Sequence, residues 1–371
     1  MAEFKYSSLF GQLTEMIQLY FDAVSEKKKN LFDNVQITKF CDWDTPSESF
    51  DFEEIIGKYN ITVAAPTIGL GSKEPVLGSE GLETFKEQVL HHAIDLPMTE
   101  RDQRKLLSIM SSGLLTDDVK KRKLVDLMFG DVKTVVGSVY SKLDMIFLGA
   151  LSNEGVFELN NTSNPEGGVR GTIDYNQPAE NIASATTQWT EANIETVDCF
   201  EDIQSIIDSA SDKVNFAKIL LSPAKLSYML RSKKMKQLIW GTDRQAKMVT
   251  MKDVNDYLST NDFPILEPIR RIVRIQNGRS YSELTPWNTK NIVFVPEGKL
   301  GIIKNALDGT ELKGVMPEPG LSVSKYGRIL VKKWCKGESD GSNHVEHTKA
   351  ESYSLPVITE IQGIYTLKTE A

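Results

Sequence analysis

Apolar side chains recur along this chain with two distinct periods. Over residues 6–32, Leu9, Leu13, Ile17 and Tyr20 fall on one helical face, widened by Phe10, Met16 and Phe21, until Lys27-Lys28-Lys29 breaks the stripe. Strand-like segments follow at Val35–Phe40 and Ile61–Ala65, bounded by Asp, Pro and Gly. Residues 66–97 lose that order. Pro66, Gly69, Gly71, Pro75, Gly78 and Gly81 punctuate a long two-limbed excursion, and strand character returns at Phe85–Leu90. A loop of that length with little apolar material is uncommon inside a compact domain and is usually functional.

The longest regular pattern comes next. Thr116-Asp117-Asp118 supplies N-cap chemistry and acidic residues for a first turn. Leu124, Leu127, Met128, Val132, Val135, Val136, Val139, Leu143, Ile146, Phe147 and Ala150 then recur at three- and four-residue steps. The pattern ends near Asn153 and Gly155, which predicts a helix over 118–152 about 50 Å long. Gly130 and Gly137 lower its propensity without breaking the period. The stripe reads as free of inward polar ligands, so the helix is expected to be a scaffold.

Beyond it, Val156–Leu159 and Gly171–Tyr175 read as strands flanking the turn Asn164-Pro165-Glu166-Gly167-Gly168. Helix and strand alternate over 199–260. Asp202–Ala210 is amphipathic and Phe216–Leu221 is a short apolar strand. Ser222-Pro223 caps a helix through Leu226 and Leu230, and Met251–Leu258 is another. Strands at Ile272–Gln276, Ile292–Pro296, Leu321–Ser324, Ile329–Trp334 and Pro356–Thr366 complete an α+β pattern.

Composition narrows the class. The 371 residues are 40% hydrophobic and 25% charged, which excludes collagen-like and wholly disordered chains and exceeds one small domain. With 43 Lys+Arg against 51 Asp+Glu, the net charge of −8 argues against a protein built to grip phosphate backbones. Cys41, Cys199 and Cys335 are far apart, and without a Cys-x-x-Cys pair they support neither a zinc cluster nor a disulfide framework. Met1–Lys5 does not open a signal peptide, and no stretch reads as the roughly 18 apolar residues of a membrane helix. The expectation is a protein of a reducing cytoplasm, or of something assembled there.

Motifs for chemistry are weak. His344-x-x-His347, with Glu346, Cys335 and Asp340, has letters for a metal site but lies in the polar, Gly/Ser-rich stretch 337–349, which reads as a solvated loop. His91 and His92 are adjacent, so a strand would send them to opposite faces. Gly337-Glu338-Ser339-Asp340-Gly341 matches the letters of a nucleophile elbow without an apolar strand before it or a helix after. Gly78-Ser79-Glu80-Gly81 is a residue too short for one, and Gly69-Leu70-Gly71 lacks phosphate-loop spacing. The pairs Asp117-Asp118 and Glu53-Glu54 are adjacent rather than convergent. Basic runs at Lys120–Lys123, Arg231–Lys236 and Arg270-Arg271 lack interleaved aromatics and could serve inter-subunit salt bridges or phosphate contacts. No catalytic, cofactor-binding or metal residue is assigned, and no cofactor is expected.

The order of these segments resembles the lambda-like major capsid proteins of tailed bacteriophages (Caudoviricetes), built on the Hong Kong phage capsid fold. The amphipathic start runs through Leu19-Tyr20-Phe21 into Val35–Phe40, and Ala64–Leu96 looks like the family's extended loop, closed by Pro97. Lys120–Lys123 opens the long spine helix. Asn181–Thr190, Ile203–Ala210, Ile219–Lys225, Val293–Gly301 and Tyr353–Val357 follow in the family's order. The resemblance implies an N-terminal arm and helix at 1–60, an extended loop at 61–97, and a peripheral domain with the spine helix at 98–197. An axial domain at 198–339 and a C-terminal return to the peripheral domain at 340–371 complete it.

It further implies a non-enzymatic subunit of the virion, assembled in the host bacterial cytoplasm. Such subunits self-assemble into hexamers and pentamers of an icosahedral head around double-stranded DNA, with scaffold, portal and decoration proteins as partners and no membrane. Some relatives crosslink a loop lysine to a neighbour's asparagine, and Lys73 and Lys86 lie in the matching loop. Gly130 and Gly137 become candidate flex points of the spine. The alternatives are an encapsulin-like nanocompartment shell, a portal or tail component, and a hydrolase using Ser339 with His344 or His347. The charge of −8, repeated over a shell, would keep its inner wall from gripping packed DNA.

Overall fold

A computed structural model describes residues 34–56, 83–98, 117–210, 213–242, 247–278, 280–312, 322–336 and 345–370, with isolated positions between 101 and 111. The helix expected over 6–32, the strand at Ile61–Ala65 and the stretch 337–344 with Ser339 and His344 lie outside the described residues.

A four-residue helix, α1 (Ile37–Phe40), runs directly into β1 (Cys41–Trp43). This corrects the strand expected over Val35–Phe40. The carboxylate of Asp144 accepts the backbone N–H of Gln36 at 3.0 Å and of Ile37 at 2.7 Å. A partner 107 residues away thus satisfies donors that a helix start leaves open. Next, β2 (Asp51–Ile56) pairs antiparallel with β3 (Glu83–Gln88), and β4 (Leu90–Met98) follows.

The long helix α2 spans Asp117–Ser152, 36 residues. It ends through Glu154 and Gly155, both in the left-handed region, with Gly155 N–H donating to Ala150 O at 2.9 Å. The antiparallel pair β5 (Val156–Leu159) and β6 (Gly171–Asp174) comes next, then β7 (Ile182–Ser184). Four helices surround the following strands: α3 (Cys199–Ala210), then β8 (Phe216–Leu221), α4 (Pro223–Arg231), α5 (Lys233–Trp240) and α6 (Met251–Thr260). Ser222 Oγ caps α4 by accepting Lys225 N–H, with Pro223 in its first turn, and Thr250 with Asp253 forms a capping box on α6. Strands β9 (Ile265–Pro268), β10 (Val273–Asn277), β11 (Ser280–Leu284), β12 (Asn291–Pro296) and β13 (Gly301–Ala306) lead to α7 (Gly309–Leu312). The chain closes with β14 (Ser322–Tyr326), β15 (Ile329–Lys336), β16 (Val345–Ile358) and β17 (Tyr365–Lys368).

Two larger sheets organise these strands. In the six-stranded sheet the order is β1-β13-β16-β15-β14, with β4 also on β16. The 14 residues of β16 are shared: 345–351 pair with β15, 346–354 with β4 and 353–358 with β13. The five-stranded sheet has the order β7-β17-β12-β8-β9. A cut at 339/340 falls between β15 and β16, which are paired, and β13 and β14 belong to that same sheet. β17, assigned by the sequence to the same unit as β16, instead pairs with β12 and β7.

Period-two alternation explains how the sheets share a core. Ile219, Leu221, Ile292 and Phe294 face a core filled by Ile203, Ile206, Met229 and Leu258. Leu220, Val293 and Val295 turn the other way, into a core holding α2 and the six-stranded sheet. Burial on both faces is why Ile219–Leu221 of β8 and Ile292–Val295 of β12 read as unbroken apolar runs. On α2, Val132, Val135, Val136, Val139, Leu143, Ile146, Phe147 and Leu148 are buried against Ile303, Val331, Leu355 and Val357 of that sheet's core. Gly130–Ser152 is long and apolar enough, at a mean hydropathy of 1.3, to cross a membrane by length and composition, which corrects the expectation that no stretch qualifies. The chain's own sheet packs it.

Candidate functional site

The residues singled out for chemistry are placed apart. His347 stands on strand β16 rather than in a loop, its Nδ1 2.6 Å from Asp95 Oδ2 and its ring stacked on Trp334 at 5.1 Å. His91 and His92 do leave β4 on opposite sides. His91 stacks on Tyr353 at 4.4 Å with Nε2 3.5 Å from Glu351, while His92 is buried with Nε2 3.1 Å from Ser354 O. Burial pushes the His92 imidazole down to about 3, so it stays neutral. Cys41 and Cys199 are buried free thiols; burial pushes Cys199 up to about 12 and Cys41 well above the usual thiol range, which disfavours the reactive thiolate. Among the described residues, no group of three His, Cys, Asp or Glu side chains is placed to hold a metal.

Within the run Arg231–Lys236, three side chains find acids in the same chain. Arg231 pairs with Glu191, Lys233 with Glu195 at 3.4 Å and Lys234 with Asp198 at 3.2 Å, so α4 and α5 dock on the loop before α3. Lys86 pairs with Glu53 across β2–β3 at 3.0 Å. The side chains of Lys120–Lys123, and Lys73, lie outside the described residues.

A buried carboxylate on α2, Asp144, corrects the reading of its apolar stripe. Asp144 is fully buried, and its Oδ2 lies 2.6 Å from Arg271 Nε on the segment after β9. Arg271 Nη2 donates to Ser141 Oγ at 2.9 Å, and Ser141 Oγ donates to Gly137 O at 2.8 Å. Together with the N–H groups of Gln36 and Ile37, this ties the chain's entry, the helix and the β9–β10 connection to one group. Burial pushes the Asp144 carboxyl up to about 6, against the lowering by Arg271 and the two amides. The available sequence signal was an Asp inside the apolar run Leu143–Ala150 and an Arg pair far downstream.

The β2–β3 pair is fastened at its root. Lys304 of β13 bridges Asp44 at 2.7 Å and Glu54 of β2, Phe50 lies 5.1 Å from Tyr353, and Phe85 packs on Phe52 and Tyr175. Around Phe85, the side chains of Thr84, Lys86, Glu87, Asp51 and Glu53 are exposed. On the six-stranded sheet, buried Glu351 collects Lys332 and Lys349, and Lys332 reaches Asp308 at 2.8 Å. Two lysines thus offset two carboxylates within this cluster.

The fold combines a long helix packed on a mostly antiparallel six-stranded sheet, a second, helix-flanked sheet and a separate two-stranded pair, β2–β3. The sequence matches the family described as phage major capsid protein E over residues 42–369, and the chain belongs to that family. It is a structural capsid protein of the tailed-phage type. No curated protein matches it. Its fold is similar to that of a protein assigned as the capsid protein of an E. coli CFT073 prophage, at 14% identity and a TM-score of 0.58, covering 96% of this chain and 98% of that one. It is similar also to a phage-related protein of Bordetella bronchiseptica RB50, at 11% identity and a TM-score of 0.51, covering 92% and 94%. Neither the encapsulin-like nor the hydrolase alternative gains support from these matches.

Proposed function

We propose that this chain self-assembles into hexamers and pentamers that close into an icosahedral phage head around double-stranded DNA, with no catalytic activity of its own. The family match over residues 42–369 carries this reading. The strand pair β2–β3 supports it: anchored through Phe85 and Lys304, it leaves Asp51, Glu53, Thr84, Lys86 and Glu87 exposed, a surface open to a neighbour. Heterologous contacts of this kind build a shell when their rotation closes.

Within that reading, the six-stranded sheet with α2 is the peripheral domain, drawing on residues 41–43, 90–98, 301–306, 322–336 and 345–358. The axial domain is the five-stranded sheet with α3–α6, to which the last strand, 365–368, returns. Assembly takes place in the host cytoplasm, and the partners are a scaffold, a portal and decoration proteins. Negative-stain microscopy of the purified chain, alone and co-expressed with its neighbouring reading frames, tests the proposal. Shells or hexameric rings are the expected result; a persistent monomer under all assembly conditions would sink it.

A further inference from the structure

Resting on the shell reading above, we infer that the outer face of the β10–β11 ribbon is a two-fold contact that receives the same face of a second copy of this chain. The register fixes what the ribbon displays. Val273 pairs with Leu284 and Ile275 with Ser282 on the inner face, where Val273 is buried and Ile275 and Leu284 pack on the core of α2. Arg274 opposite Glu283 and Gln276 opposite Tyr281 occupy the outer face. Tyr281 is 70% exposed, and Ile272, just ahead of the strand, is 61% exposed. Among the described residues neither outer edge of the ribbon pairs with another strand.

An exposed ribbon with apolar residues at both ends and charges between them has the anatomy of an interface patch. The charge pattern selects the occupant. Arg274 Nη2 and Glu283 Oε1 lie 3.2 Å apart, both mostly exposed, so the face carries one positive and one negative group and no net sign. A phosphate or a single-sign partner gains nothing there. A two-fold axis through the ribbon sets each Arg274 against Glu283 of the second copy and brings the Ile272 and Tyr281 bodies together. Isologous contacts require such self-complementarity. The ribbon is also held before any partner arrives: the Glu166 carboxylate accepts Gly278 N–H, and Gln276 Nε2 donates to Gly278 O at 3.0 Å. Preorganisation of this kind lowers the ordering cost of association.

The test uses the full chain in two charge-reversed forms, Arg274→Glu and Glu283→Arg. Each alone presents a single-sign face to its own copies and loses the intrachain pair. An equimolar mixture restores opposite faces between copies but leaves the intrachain defect in both chains. Each variant alone is expected to give roughly tenfold fewer assembled particles than the wild type, and the mixture to recover most of that yield with both chains in the same particles. Singles that assemble like the wild type, or a mixture no better than its components, would overturn the inference. Circular dichroism checks that the singles fold. If either does not, Tyr281→Ser with Ile272→Ser replaces them: reduced assembly supports the contact and wild-type yield refutes it. A wild type that never forms shells counts against the proposed function, whereas shells with indifferent variants count against the ribbon alone.

Discussion

Replacing Asp144 by Ala removes the acceptor on which three segments converge. Its partner Arg271 has only 10% of its side chain exposed, so the guanidinium would remain buried without its counter-charge. Removing one member of such a pair costs about 3–5 kcal/mol. The N–H groups of Gln36 and Ile37 also lose their acceptor, at roughly 1–3 kcal/mol each where water does not reach them. These terms overlap, and the expected net loss is about 4 kcal/mol or more. The double variant Asp144→Leu/Arg271→Met replaces the pair with apolar side chains of similar volume, which is close to neutral for the pair itself. It should recover the share of the loss that comes from the broken pair and leave the cost of the two amides. Urea denaturation of the unassembled subunit, followed by tryptophan fluorescence, measures both, because assembly would add its own stabilisation by mass action. A single variant within about 1 kcal/mol of the wild type would refute the reasoning, as would a double variant less stable than the single.

Four further outcomes follow from the same structure. The Asp144 carboxyl sits at about 6 in the fold against an ordinary 3.8, so the native state holds that proton more tightly than the unfolded chain. Its contribution to stability is fully present below pH 3.8 and lost as pH rises through about 6, a change of about 3 kcal/mol. Asp44 and Glu351, held low by Lys304 and Lys332 against burial, act in the opposite sense, so the measurement is the stability difference between wild type and Asp144→Asn from pH 4 to pH 7; a flat difference refutes it. Gly301→Ala would put a Cβ 2.0 Å from the Val357 carbonyl oxygen, inside the β13–β16 pairing, and should cost roughly 1–3 kcal/mol in the same urea assay. Gly130→Ala meets nothing within 4 Å on an exposed turn of α2 and should stabilise by about 1 kcal/mol. If Gly130 and Gly137 act as flex points in head maturation, the double Ala variant should expand more slowly; particle radius by light scattering checks this, and unchanged expansion removes the idea.

Local pattern alone determined much of this protein. The stripe from Leu124 to Ala150 predicted α2 within a residue of its limits, and Ser222-Pro223 marked the start of α4 through a cap that is local in sequence. The order of segments carried the family resemblance, which the match over 42–369 bears out. What failed was non-local. α1 exists because Asp144 caps it from 107 residues away, and no window of sequence contains both partners. Strand character at 345–350 is hidden in a polar run because β16 lies between β15 and β4, whose backbones supply its hydrogen bonds whatever its side chains are. Sheet membership was invisible for the same reason. Alternation says that Ile292–Val295 is buried on both faces, but only the fold decides that one face meets the helices α3–α6 and the other meets α2. Hydrophobic period is a property of a segment and can be read from it; the partner that buries each face is a property of the whole chain.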